Sequence, residues 1–278
     1  FSTALDENGQ PKGIGLSLWR MNLGAGSSRQ NNISDPWRRA DCFLDEAMAD
    51  YDWQRCSGQR KFLQLAKSRG VAHFTAFCNS PVINMTRNGN AFCDPSVGTT
   101  NLDFAKADDF SRYLADVLVH FRDAEGINFD CISPVNEPEW DWNQNRSNPP
   151  RAGQEGCRYN NADIKRLVDA LYPQLQSRGL ETEIEVCESG NIEYIYSNGD
   201  EKGNHARWLF DKESDCFIGD KVAAAICGHS YWTDTAAEIV DKRRKLRVEL
   251  DKYKLDFVQS EYSILGDRGE IDGNRRDL

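Results

Sequence analysis

The segment Cys131-Ile-Ser-Pro-Val-Asn-Glu-Pro-Glu139 joins a short apolar run to a polar end that is interrupted by proline. Pro138 forces the chain out of regular strand pairing directly after the glutamate that precedes it. The segment therefore predicts a strand that presents Glu137 at its carboxyl end with the adjacent backbone held in place. A carboxyl group fixed in this way is a suitable proton donor.

Five further apolar runs predict strands, and segments with helical periodicity separate them. The predicted strands cover residues 15–22, 71–79, 129–135, 183–188, 222–230 and 255–260. Apolar residues recur at the helical i, i+3, i+4 spacing over 110–121 and 164–175. Residues typical of helix caps and helix stops predict the bounds of three helices. These run from Ser57 to Gly70, from Asn161 to Gly179, and from Asp234 to about Lys254.

Six strands joined by helical crossovers predict a parallel sheet, either open and doubly wound or closed into a (β/α)₈ TIM barrel. No glycine-rich phosphate-binding motif follows a predicted strand, which disfavours the nucleotide-binding open sheet. Polar side chains end every strand, as at the active face of a barrel: Arg20, Asn22, Asn79, Ser80, Asn136, Glu137, Glu188, His229, Tyr231 and Glu261. We therefore predict that residues 1–278 form the core of one catalytic barrel.

A second carboxyl group complements Glu137. The run Phe257-Val-Gln-Ser-Glu-Tyr-Ser263 places Glu261 at another strand end. Glycoside hydrolysis requires two carboxyl groups beside the scissile bond, about 5–5.5 Å apart when the anomeric configuration is retained. A single glutamate is more often an exposed loop acid, but two at strand ends favour catalysis. Glu188 also ends a strand and is a third candidate.

Composition restricts the partners. The formal net charge of −10 argues against nucleic acid or an anionic membrane surface, and it is compatible with a neutral or cationic ligand. No apolar run approaches the ~18 residues of a membrane span. The four histidines lack metal-ligand spacing, so we expect neither a metal nor another cofactor. The oligomeric state stays open.

Nine cysteines are many for a cytosolic enzyme. Cys131, Cys187 and Cys227 lie inside apolar runs and are predicted to be buried small hydrophobes. The other six lie in or beside polar segments, where the disulfides of a secreted protein would form: Cys42, Cys56, Cys78, Cys93, Cys157 and Cys216. We expect a secreted, periplasmic or cell-surface protein, although no signal segment is visible.

These motifs resemble those of glycoside hydrolase family 30, which belongs to the retaining (β/α)₈ glycosidases of clan A. The resemblance covers about Gly13 to Ser263. It rests on Gly15-Leu-Ser-Leu-Trp-Arg20, Asn79-Ser-Pro81, Asn136-Glu137-Pro138, Gly228-His-Ser-Tyr-Trp232 and Gln259-Ser-Glu-Tyr-Ser263. It implies that the six strands are the second to the seventh of a barrel. The first and eighth strands and an accessory β-sandwich would then lie outside residues 1–278.

The resemblance also implies roles for individual residues. Glu137 matches the acid/base, Glu261 the nucleophile, and Asn136 the residue that binds the sugar 2-hydroxyl. Arg20 and Tyr231 match groups that contact the nucleophile, and an arginine there would favour the charged carboxylate. His229 matches a position in the family's sixth strand, with a purely structural histidine as an equal alternative.

Trp140 and Trp232 flank the proposed catalytic positions and are predicted to stack on sugar rings. Trp19 and Trp142 also lie near strand ends, and ordinary packing is the alternative for each of these tryptophans.

The implied substrate is a β-linked carbohydrate. The segment Gly153-Gln-Glu-Gly-Cys157 most resembles β-1,6-galactanase-like members of the family. After Pro81 the chain reads Val-Ile-Asn-Met, where many members have a tryptophan, so the wall around the cleaved sugar differs. Two alternatives stay open: an exo-enzyme like a glucosylceramidase or β-xylosidase, and an inactive carbohydrate-binding barrel.

Overall fold

The computed structural model describes residues 2, 4–199, 201–233 and 238–262. Its six strands are β1 (Leu18–Asn22), β2 (His73–Phe77), β3 (Cys131–Ser133), β4 (Glu183–Ile184), β5 (Ala225–His229) and β6 (Asp256–Glu261). Strands β1 to β4 pair in sequence order, β5 pairs with β6, and every pairing is parallel. The predicted α/β class and all six predicted strands are thus present.

The segment after β4 connects the two groups of strands. The amide of Cys227 donates to the carbonyl of Val186 at 2.8 Å, and the amide of His229 donates to that of Ser189 at 2.7 Å. Across the sheet, Arg20 of β1 contacts Glu261 of β6 at 2.6 Å. The carboxyl ends of β1 and β6 therefore lie close together.

The helices are α1 (Ser57–Lys67), α2 (Ala107–Ala124), α3 (Asn161–Ser177), α4 (Glu193–Tyr196), α5 (His205–Phe210) and α6 (Ile239–Tyr253). Short 3₁₀ helices cover Ser27–Arg29, Pro36–Arg38, Ile83–Met85 and Phe104–Lys106. The apolar stripes of α2 and α3 are buried, and the two helices pack against each other. Among the described residues, no helix has the length and apolarity that crossing a membrane requires.

Two predicted helix starts are wrong by one residue. The N-cap of α3 is Asn160, whose side chain accepts a hydrogen bond from the amide of Asp163 at 2.7 Å. Asn160 is extended, as a cap residue must be, whereas Asn161 is already helical. Likewise Ser57 is the first residue of α1, and Cys56 precedes it in a left-handed conformation. At α3 the two adjacent asparagines made the cap position ambiguous in the sequence, whereas no side-chain cap at Cys56 marks the start of α1.

The predicted end of α3 is correct. Gly179 has a φ of 59°, and the amide of Leu180 donates to the carbonyl of Leu175 at 3.1 Å, as in a Schellman motif. Helix α6 begins at Ile239, and the predicted start at Asp234 lies outside the described residues.

All nine cysteines are free thiols in the structure, so the six expected to form disulfides do not form them here. Polar neighbours in the sequence did not indicate exposure. Cys42, Cys78, Cys93 and Cys157 all lie in the main hydrophobic core, beside the apolar faces of the strands and helices. The three cysteines predicted to be core residues include two that are fully buried, Cys187 and Cys227.

Candidate active site

Two glutamates meet at the carboxyl ends of the strands. Glu137 follows β3, Glu261 is the last residue of β6, and a carboxylate oxygen of each lies within 4.8 Å of the other. The Glu137 backbone is left-handed, with a φ of 45°. Its amide donates to the carbonyl of Glu188 at 2.9 Å, and its carbonyl accepts from the indole of Trp142 at 2.9 Å. These two hydrogen bonds hold an unfavourable conformation in place.

The Glu261 carboxylate receives two side-chain donors. Arg20 donates to Oε1 at 2.6 Å, and the Tyr231 hydroxyl donates to Oε2 at 2.8 Å. The Arg20 guanidinium also lies over the ring of Phe77, 3.4 Å from its centroid. Burial, followed by the charge of Glu261, raises the pKa of Tyr231, so the phenol remains a hydrogen-bond donor. Both carboxylate oxygens of Glu261 are thus held by side-chain donors.

Glu137 lies in a different environment. Its Oε1 is 2.8 Å from Nδ1 of His229, and 6% of the residue is exposed. Burial raises the pKa of Glu137, the hydrogen bond from His229 opposes this, and the negative charge of Glu261 raises it further. One carboxyl group is therefore suited to hold a proton while the other is paired with an arginine.

His229 connects Glu137 to a third carboxylate. Its Nε2 lies 3.2 Å from Oε2 of Glu188, and His229 has no exposed surface. Burial alone would disfavour the imidazolium, but hydrogen bonds to Glu137 and Glu188 raise the pKa of His229 to about 9. Both ring nitrogens of His229 therefore face carboxylates, and its predicted place in the substrate-binding site stays a prediction.

Glu188 is fully buried and is surrounded by donors. Burial would raise its pKa, but the nearby Arg20 charge at 3.3 Å and the hydrogen bond from His229 outweigh it and lower the pKa to about 2. Ser133 donates to its Oε1 at 2.7 Å, and Ser260 donates to Oε2. Glu188 therefore stays charged beneath the site, out of reach of a substrate.

Asn136 lies between Arg20 and Asn79. Its side-chain oxygen accepts from Arg20 at 3.1 Å, and its amide nitrogen donates to Asn79 at 3.0 Å. The amide orientation is thus set from both sides, next to the two catalytic candidates.

Aromatic rings line the cavity above the carboxylates, which has a volume of 520 Å³. Trp140 and Trp232 both line it, with ring centroids 5.2 Å apart at an angle of 70°. Trp142 lines it as well. Trp19 does not, because it alternates with the inward-facing Arg20 and stacks on Phe62 at 5.9 Å. The predicted pair of platforms therefore faces the cavity.

Two glycines make room for these side chains. A Cβ on Gly190 would lie 2.4 Å from Nε1 of Trp140 and 2.9 Å from Oε1 of Glu137. A Cβ on Gly156 would lie 2.3 Å from the Trp142 ring. Neither contact is visible from sequence, because each joins segments that are far apart along the chain.

The segment 153–157 supports the wall of the cavity above the carboxylates. Glu155 is buried and accepts from the amides of Ala25 and Ser27 at 3.2 to 3.3 Å. Burial raises the pKa of Glu155 to about 7, although the hydrogen bonds from Ser27 and Ala25 oppose this. Gln154 lines the catalytic cavity.

The model of O-glycosyl hydrolase family 30 matches residues 1–278. The chain belongs to glycoside hydrolase family 30. The curated endo-β-1,6-galactanase of Hypocrea rufa is 31% identical over 188 residues, covering 62% of this chain and 38% of that protein.

Solved structures include two informative relatives of this family 30 chain. A conserved exported protein from Bacteroides fragilis has a TM-score of 0.88 at 30% identity and covers 98% of this chain and 56% of its own. The catalytic domain of the family 30 xylanase C from Talaromyces cellulolyticus has a TM-score of 0.50 at 19% identity, covering 78% and 45%. The latter supports the fold alone. The chain spans about half the length of these relatives or less.

The buried carboxylate predicts a measurable effect on catalysis. We expect Glu188→Gln to lower kcat/KM about 10- to 100-fold. This factor corresponds to the loss of one charge-assisted hydrogen bond, which contributes about 1.5–3 kcal/mol. Without the negative charge of Glu188, the pKa of His229 falls. The other charged groups that face His229 are Glu137 and Glu261. Arg20 contacts Glu188. The hydrogen bond and charge of His229 lower the pKa of Glu137, the proposed proton donor. A His229 that loses its proton more readily therefore raises the pKa of Glu137, and the basic limb of the pH profile of kcat/KM should move to higher pH.

The control is Glu185→Gln. It removes another carboxyl group on the same buried segment, one that does not contact His229. Burial raises the pKa of Glu185, and its hydrogen-bond partners are Cys131 and Cys227 rather than His229. Kinetics across pH and thermal unfolding of both variants separate the two cases. If Glu188→Gln is destabilised but its pH profile is unshifted, Glu188 has only a packing role.

Proposed function

We propose that this protein is a retaining β-glycoside hydrolase in which Glu261 is the nucleophile and Glu137 the general acid and base. The observation that carries the proposal is the approach of the two carboxylates to within 4.8 Å. Retaining enzymes place these groups about 5–5.5 Å apart, whereas inverting enzymes leave about 6.5–9.5 Å for a water molecule. The different environments of the two glutamates support the division of roles.

In the first step, Glu261 attacks the anomeric carbon and the bond to the leaving oxygen breaks. Glu137 transfers its proton to that oxygen, so the leaving sugar departs as an alcohol. Since His229 engages Oε1 of Glu137 at 2.8 Å, Oε2 is the oxygen that delivers the proton. Asn136, Arg20 and Tyr231 hold the sugar and the nucleophile in position.

In the second step, Glu137 removes a proton from water, which attacks the anomeric carbon and releases Glu261. The change of role follows from charge. Glu261 is neutral in the glycosyl ester, so its contribution to the raised pKa of Glu137 is lost. The Glu137 carboxyl group then ionises more readily and serves as the base.

The favoured substrate is a polysaccharide with β-1,6-linked galactose, cleaved internally. The similarity to the Hypocrea rufa endo-β-1,6-galactanase and the segment 153–157 support this choice. The exo-acting alternative, on a glucosylceramide- or xyloside-like substrate, and an inactive carbohydrate-binding barrel are outcomes of the same test.

That test is digestion of β-1,6-galactan, β-1,6-glucan, xylan, glucosylceramide and aryl β-glycosides, with the products separated by size. We expect β-1,6-galactan to give oligosaccharides of mixed length at early times. Release of single sugars alone would favour the exo-enzyme. Binding without hydrolysis of any substrate would favour the inactive barrel.

We also propose that the six strands belong to an eight-stranded (β/α)₈ barrel whose other two strands lie beyond the described residues. The contact between Arg20 of the first strand and Glu261 of the last supports closure of the sheet. An experimental structure of the whole protein with an open sheet at this point would contradict it.

We propose in addition that the enzyme acts outside the cytoplasm, as the similarity to an exported protein suggests. Fractionation of the native cells, with the protein detected by antibody, tests this. Detection in the cytoplasmic fraction alone would contradict it.

A further inference from the structure

A second cavity adjoins the catalytic one. Its volume is 680 Å³, within the range of small-molecule sites. The two cavities share Arg38, Asn79 and Gln154, and Arg38 donates a hydrogen bond to Gln154 at their boundary. A chain-like ligand held over Glu137 and Glu261 can therefore extend into this second space without leaving the protein surface.

An exposed tryptophan borders the second cavity. Trp37, on the short helix Pro36–Arg38, is 76% exposed, and the Arg38 guanidinium lies 4.5 Å from its ring centroid. Leaving an indole in water is unfavourable, since its burial removes on the order of 150–250 Å² of surface from water. The flat face of a sugar ring can cover such a side chain.

The remaining lining suits hydroxyl groups. Asn22 and Gln59 supply amides and Ser57 a hydroxyl. The side-chain oxygen of Asn22 is buried and accepts no hydrogen bond from the part of the chain that the structure describes. A buried acceptor without a donor is costly, and a sugar hydroxyl placed there would satisfy it.

Charged side chains of both signs surround the cavity. Asp41 pairs with Arg29 at 3.1 Å and Arg55 at 2.9 Å, while Arg38 lies 3.6 Å from Asp35. The lining contains two arginines, Arg38 and Arg39, and two carboxyl groups, Asp41 and Glu155. No single sign dominates the lining to select an ionic ligand, so the chemistry favours a neutral one.

We propose that the cavity bordered by Trp37 is a further sugar subsite, which binds a neutral hexose unit of the same chain that is cleaved over Glu137 and Glu261. Trp37 is its stacking platform, and Asn22 accepts from a sugar hydroxyl. This inference rests on the proposed function and extends it, because it makes the enzyme select long substrates over short ones.

The test compares Trp37→Ala with wild type on β-1,6-linked galacto-oligosaccharides of increasing length and on 4-nitrophenyl β-galactoside. We expect kcat/KM to rise with length in wild type, and the variant to lose about tenfold on the longer substrates. The aryl glycoside, which is too short to reach Trp37, should be cleaved equally by both. Trp37→Phe should recover part of the loss.

Two further variants keep the result interpretable. Gly58 lines the cavity on α1, and a Cβ there meets no atom within 4 Å, so Gly58→Trp should fill the space and mimic Trp37→Ala. Phe62→Ala removes another exposed aromatic, which stacks on Trp19 outside both cavities, and should leave length dependence intact. Equal losses on short and long substrates, or no loss, would overturn the subsite.

The outcome also separates the subsite from the proposed function. If no oligosaccharide is cleaved, the proposed function fails, and calorimetry of the same oligosaccharides tests the subsite by itself. Binding that strengthens with length in wild type and weakens in Trp37→Ala would support it. Binding that ignores Trp37, or no binding of any oligosaccharide, would overturn it.

Discussion

Replacing Glu261 by alanine is expected to reduce turnover of every substrate by roughly 10⁵-fold or more, because no glycosyl ester can form. The loss should not depend on the leaving group, since the missing group attacks the sugar. Steady-state kinetics with both a polysaccharide and an activated aryl glycoside measure it.

Two controls accompany that variant. Glu261→Gln preserves the shape of the side chain and should be equally inactive, so a folding defect is not the cause. Glu183→Ala removes an exposed glutamate at the opposite end of the sheet and should retain activity. Activity above about 1% of wild type in Glu261→Ala would contradict the nucleophile assignment, given the size of effect expected.

Replacing Glu137 by alanine should give a loss that depends on the leaving group. General acid catalysis contributes about 10²–10⁴-fold, so cleavage of natural glycosides should fall by that factor. Aryl glycosides with good leaving groups need little protonation in the first step and should form the glycosyl enzyme almost normally. Comparison of kcat/KM across a series of substituted phenols reveals the difference.

Azide provides a second readout for the same variant. The second step of Glu137→Ala lacks its base, and a small anion can occupy the vacated space and attack the anomeric carbon directly. We expect faster turnover in azide and a β-glycosyl azide product. Losses that are equal for all leaving groups, without rescue, would mean that the two roles are exchanged or misassigned.

The strands were predictable because each lies in a short apolar run whose length is typical of a strand in a parallel sheet. The contacts of Arg20 and Tyr231 with Glu261 followed from their places at strand ends, since parallel strands end on one face. Trp140 and Trp232 follow strand ends as well and line the cavity, while their stacking on sugar rings stays a prediction.

Other features depend on three-dimensional geometry that no local pattern encodes. The burial of Glu188 depends on contacts with His229, Ser133 and Ser260, which come from other segments of the chain. Gly190 is required by two side chains of another segment, and Trp37 borders a cavity formed by distant loops. The only sequence signal for Glu188 was its position after a strand.

The central claim, double displacement with retention, is tested most directly by the configuration of the first product. Proton NMR of a β-linked substrate digest, recorded within the first minutes and before mutarotation, distinguishes the two anomers. The proximity of Glu137 and Glu261, within 4.8 Å between oxygens, predicts that the β-anomer is formed first. Initial formation of the α-anomer would contradict the mechanism.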